Sequence, residues 1–63
     1  MQSELANYCA NKAFKAEDKA LFLAAAYWYD HAASESTGED EAVFREAAHD
    51  CRRQHYNIKA MKA

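Results

Sequence analysis

The chain has 63 residues, of which 51% are apolar but fifteen are alanine, and ten acids against eight Lys and Arg leave a formal charge of −2. That size supports one domain with a thin core, near the lower limit for unassisted folding, so self-association would help. The weak negative charge argues against nucleic-acid binding through net charge, two cysteines do not make a disulfide scaffold, and the apolar run at 20–29 is too short to span a bilayer.

The start, Met1-Gln2-Ser3-Glu4, lacks the basic residues and apolar stretch of a signal peptide. The expectation is a cytoplasmic protein with free thiols and no membrane association. A helix follows from about residue 3 to 33. Its seam Cys9, Ala13, Ala16, Ala20, Leu23, Tyr27 advances in alternating steps of four and three, with alanines that let two backbones approach closely. The polar stretch Lys15-Ala16-Glu17-Asp18-Lys19 reads as one turn of that helix, because no Gly or Pro enforces a break. A short helix ending near Phe14 and folding back, broken near 15–18, is the alternative.

Residues 21–32, LFLAAAYWYDHA, carry the strongest signal. Successive helical residues point about 100° apart, so Tyr27, Trp28 and Tyr29 sweep about 200° of surface. One neighbouring helix covers a stripe only a little over 100° wide. A second stripe, Phe14, Leu21, Ala25, Trp28 and Ala32, therefore demands a second partner. On this reading Tyr27 enters the hairpin core with Leu23, and Trp28 lies at an intermolecular contact. Phe22, Tyr27, Trp28 and Tyr29 are the expected anchors for a partner or oligomer, since aromatic side chains bury large area at small entropy cost.

The sole glycine lies in Ala33-Ser34-Glu35-Ser36-Thr37-Gly38, which predicts a turn at about 34–38. Ser36 and Glu39 fit a capping box, and Thr37 is the alternative cap. The second helix is predicted over about 38–60, with Glu39, Asp40 and Glu41 at its start and Arg52, Arg53, Lys59 and Lys62 towards its end, both matching the helix dipole. Its seam is Phe44, Ala48, Cys51, His55, Ile58, so the predicted hairpin core holds Leu23, Phe44, Ala48, Cys51 and Ile58.

The expected fold is all-α: residues 1–63 form a single helix-turn-helix hairpin that self-associates into a helical-bundle dimer. Residues 34–50 carry six acids against Arg45, and 51–63 carry four bases and no acid. Two hairpins packed head to tail would match those charges.

No catalytic constellation emerges. Cys51 and His55 are four apart on one face, a two-ligand arrangement for zinc, but Cys9 and His31 do not converge on them, so neither metal nor cofactor is expected. Cys51 lies mid-helix on the apolar face, away from the setting a thiolate nucleophile needs. The candidate nucleic-acid face is Tyr8, Lys12, Lys15 and Lys19, spaced four, three and four, extended by Arg52 and Arg53.

In outline the chain resembles the plasmid copy-number regulators of the Rop type, cytoplasmic helical hairpins that pair into antiparallel four-helix dimers and bind paired RNA. The shared local feature is an aromatic, Phe14, among lysines. Residues 38–47, GEDEAVFREA, are similar to the acidic start and Phe-Arg-Glu-Ala core of the Kil division inhibitors of lambdoid phages, a likeness the rest of the chain does not continue. By type the chain resembles the small accessory proteins of lambdoid phage early regions, including those encoded between exo and xis. That resemblance implies a non-catalytic protein that binds a host protein and redirects host physiology or the lysis–lysogeny choice. The alternative it leaves is a Rop-like RNA-binding regulator.

Overall fold

A computed structural model describes the backbone of residues 3–62 and the side chains of residues 3–61. Residues 1, 2 and 63 of the expected single domain, and the side chain of Lys62, lie outside the described residues. The described residues form helices α1 (Glu4–Asp18), α2 (Phe22–Ser34) and α3 (Gly38–Lys62), with no strand. The chain is therefore all-α, but with three helices where two were expected.

Helix α1 starts at Ser3, whose extended backbone (φ −81°, ψ 168°) lets its hydroxyl oxygen accept from the Ala6 N–H at 3.1 Å. That bond satisfies one of the helix's orphan donors. The same hydroxyl donates to the Glu35 carbonyl at 3.2 Å, tying the start of α1 to the end of α2.

The continuous helix 3–33 is corrected by what happens at its middle. The Leu21 N–H donates to the Ala16 carbonyl and the Ala20 N–H to the Glu17 carbonyl, both at 2.8 Å. With Ala20 at φ 59° between them, this is a Schellman motif, the closure that ordinarily places glycine at the left-handed position. An alanine stands there instead, so the stop carries no compositional signal. The break falls at 19–21, a few residues beyond the alternative's 15–18.

Helix α2 begins at Leu21 with no side-chain cap and no acid in its first turn. At its other end the Glu35 N–H is shared between the His31 and Ala32 carbonyls, both at 3.2 Å. The buried Ser36 hydroxyl donates to Ala32 O at 2.7 Å. Ser36 thus closes α2, where a capping box opening α3 was expected. Gly38, at φ 64°, takes the left-handed conformation that alanine accepts at Ala20. Helix α3 then ends within two residues of its predicted limit, with Glu39, Asp40 and Glu41 in its first turn.

Helix α2 packs on both α1 and α3, while α1 and α3 scarcely touch each other. The core between them is built from Ala6, Ala10, Ala13, Ala25, Ala26, Ala32, Ala33 and Ala48, with Cys9, Cys51, Tyr29 and Phe44 as its larger members. A buried methyl contributes little, roughly 0.8 kcal/mol per CH₂-sized group, but alanine permits the closest helix spacing, about 8 Å. The radius of gyration is 11.8 Å, against about 10.6 Å for a compact chain of this length. The excess lies along the long axis. Helix α3, 25 residues, is about 37 Å long and α2, 13 residues, about 20 Å; because only residues 35–37 join them, the excess lies at the C-terminal end of α3, which runs on past the start of α2.

Candidate interaction surface

The size order of this protein is inverted: small side chains fill the interior and large apolar ones remain outside. Leu5, Tyr8, Phe14, Leu21, Leu23, Tyr27, Val43, Tyr56, Ile58 and Met61 are all exposed. Scattered apolar residues on a surface are ordinary, but contiguous ones mark interaction sites.

The most coherent group lies on the α1–α2 flank. Trp28, half-buried, packs edge-on against Tyr8 at 6.1 Å between ring centroids and against Tyr27 at 5.4 Å. Tyr27 meets His31 at 4.5 Å, and Lys12 Nζ lies 5.5 Å from the Tyr8 ring centre. Edge-to-face contacts of this kind hold rings in place beyond the effect of area alone. The result is a semi-rigid aromatic ridge, with Tyr27 58% exposed at its crest.

This placement corrects two expectations, Tyr27 as a member of the hairpin core and Tyr29 as an interface anchor. Tyr27, predicted in the hairpin core, is the outermost, and Trp28, predicted at an intermolecular contact, is partly covered by Tyr8. Tyr29, named among the interface anchors, is buried at 4% exposure. Its ring stacks on Phe44 at 6.3 Å and meets Phe14 edge-on at 6.0 Å, and its hydroxyl donates to the Glu17 carboxylate. The reason is the Schellman break. Once α1 folds back, α2 must present Ala25, Ala26, Tyr29, Ala32 and Ala33 to two neighbours, which turns Tyr27 and Leu23 to the opposite side. Phe22 is half-buried against the core. Of the predicted core, Phe44, Ala48 and Cys51 are buried, whereas Leu23 and Ile58 are exposed. Ile58 lies where α3 runs past the start of α2.

Burial, then the Glu17 hydrogen bond and charge, push the Tyr29 phenol far above its ordinary value. Burial, aided by Glu17 and Asp50 and opposed by Arg52, raises the Cys51 thiol. Burial and Glu35 raise Cys9. Both cysteines are free and buried, a setting that keeps a thiol protonated and unreactive. Among the described residues no group of three His, Cys, Asp or Glu side chains is placed to hold a metal ion.

The candidate nucleic-acid residues are not gathered on one face. Lys12 covers Tyr8. Arg52 pairs with Asp30 of α2, and Arg53 Nη2 lies 3.6 Å from Asp50. Trp28, which carries Tyr8, and Asp30, which carries Arg52, are two positions apart and about 200° around α2, so the α1 stripe and Arg52 occupy opposite flanks. Lys15 and Lys19 are exposed.

Sequence reasoning missed an open apolar hollow of about 490 Å³ beside the α1–α2 turn, lined by Leu21, Phe22, Leu23, His55, Ile58 and Lys59 among others. It exists because the chain reverses at Ala20 while α3 continues past that reversal. No described helix is long and apolar enough to cross a membrane. No protein-family model matches this chain, and no curated protein or solved structure is significantly similar to it.

Proposed function

We propose that this protein is a non-catalytic interaction module that self-associates and binds another protein through the aromatic ridge of Tyr8, Tyr27, Trp28 and His31. The observation that carries the reading is the inversion of size: rings that a monomeric core would take are held, by edge-to-face contacts, where a partner can reach them. Aromatic anchors dominate binding energy in such surfaces, each costing about 2 kcal/mol or more when truncated at a hot spot. From the likeness to phage early-region proteins comes the further proposal that the partner belongs to a bacterial host and that binding redirects its physiology.

The test compares tagged wild-type chain with Tyr27→Ala and Tyr8→Ala as bait for host lysate, with sedimentation of each purified protein at tens of micromolar. A specific partner captured by wild type and lost from both variants, with helicity unchanged, is the expected result. Capture that survives both substitutions refutes the ridge as the binding surface. RNA is the second ligand to include: a shift at low salt that Lys12→Ala and Lys15→Ala abolish would replace protein binding with the Rop-like reading.

A further inference from the structure

Resting on the self-association reading, we infer that the second copy docks on α3, antiparallel, through the flank bearing Val43, Ala47, Gln54, Ile58 and Met61. Val43 and Met61 are eighteen residues apart, five full helical turns, so they share one azimuth. Val43 is 60% exposed and Met61 86%, one near each end of the helix. Ala47, Asp50, Gln54 and Ile58 fall within about 60° of the line joining them, and Asp50, near the centre of the stripe, is countered by Arg53 Nη2 at 3.6 Å. The stripe that packs on α2 runs through Phe44, Ala48 and Cys51, about 80° further round α3, and Ala47, half-buried against the core, lies between the two.

Charge selects the occupant. The first turn of α3 carries Glu39, Asp40 and Glu41, and Glu46 follows beside Val43; the far end carries Arg53 and Lys59 and no acid. A parallel second copy would set like charges together. An antiparallel one sets Val43 between Ile58 and Met61 of its mate and Glu46 near Arg53, twice by symmetry. The C-terminal stretch of α3 that runs past the start of α2, with Met61 86% exposed, then lies along the other copy. The hollow beside Leu21 and Ile58 receives Val43 at its rim. The ridge of Tyr8, Tyr27 and Trp28 lies on the α1–α2 flank and stays open in this dimer, so self-association and partner binding use separate surfaces.

The geometry makes a cross-linking pattern that other arrangements do not. Val43→Cys and Met61→Cys are made singly, with wild type as the control for the two buried native thiols. Each is oxidised mildly alone and after co-refolding in equal amounts. In the antiparallel dimer the two copies of position 43 are about 25 Å apart, so neither variant alone joins, and the mixture gives a disulfide-linked dimer. Glu46→Arg and Arg53→Glu each weaken the dimer roughly tenfold by sedimentation, and the doubly reversed chain recovers. Val43→Cys joining with itself overturns the arrangement, as does a dimer by sedimentation in which the mixture fails to join. In either case self-association stands. A wild-type chain that sediments as a folded monomer overturns self-association and this interface with it.

Discussion

Replacing Ala20 with glycine should stabilise the protein, although the same change inside a helix weakens it. Ala20 holds φ 59° at the left-handed position of the α1–α2 Schellman motif. A left-handed alanine costs about 1–2 kcal/mol that glycine does not incur. Against this, glycine loosens the unfolded chain, a penalty of about 0.4–1 kcal/mol. The difference favours Ala20→Gly by about 0.7 kcal/mol, which for a domain of this size raises Tm by about 3–6 °C. Ala20 is exposed and has no packing to lose. Thermal and urea unfolding followed by circular dichroism at fixed protein concentration reads the shift. Were residues 3–33 one helix, the substitution would fall in its interior and cost about 1 kcal/mol. The sign of the change therefore decides between two helices and one, and a lowered Tm refutes the break.

Tyr29→Phe removes the hydrogen bond to Glu17 and should cost about 1 kcal/mol at neutral pH. The folded phenol titrates above its unfolded value, so its contribution is complete below about pH 10 and is lost as pH rises beyond it; alkaline unfolding of the variant should show a shallower dependence on pH in that range. Ala32→Leu forces three extra carbons into an interface with 0% exposure and should destabilise by about 1–3 kcal/mol, while the same change at the exposed Ala24 should stay within about 0.5 kcal/mol; equal effects in urea melts would refute the alanine-packed core. Cys9 and Cys51, buried with raised pKa, should react with an aromatic disulfide reagent only as fast as the protein opens, so the rate in native buffer should fall far below that in denaturant. Fast labelling of both thiols would contradict their burial.

Helical content, the turn at Ser36-Thr37-Gly38 and the whole of α3 were legible because each carries its ordinary chemical marker: periodic apolar residues, a glycine, acids at the start and bases at the end. The α1–α2 break was not, because its left-handed residue is an alanine and its hydrogen bonds are all backbone. That single omission propagated. With the first helix drawn straight, Leu23 and Tyr27 continue the Cys9–Ala13–Ala16 seam; with it folded, they point away and Tyr29 takes the core. The excess of apolar surface around residues 21–32 is legible in the sequence as a quantity, whereas which ring displays it depends on the break at Ala20. Arg52 and Arg53 looked like a basic patch because their carboxylate partners are distant in sequence, at Asp30, or hidden by the assumption of a common face, at Asp50.

The arrangement of α2 between two helices that scarcely meet also shapes how the chain folds. Each contact joins elements adjacent in sequence across turns of three residues, so loop closure is short and little search is needed for the backbone to find its pairings. Such neighbour-only topologies fold in microseconds to milliseconds. The same locality divides the molecule into two overlapping units, α1 with α2 and α2 with α3. The first can come apart while the second persists, a sub-global opening of the kind that hydrogen exchange resolves. Residues 3–18 are then the part of the protein that exchanges first, and α2 the part that exchanges last.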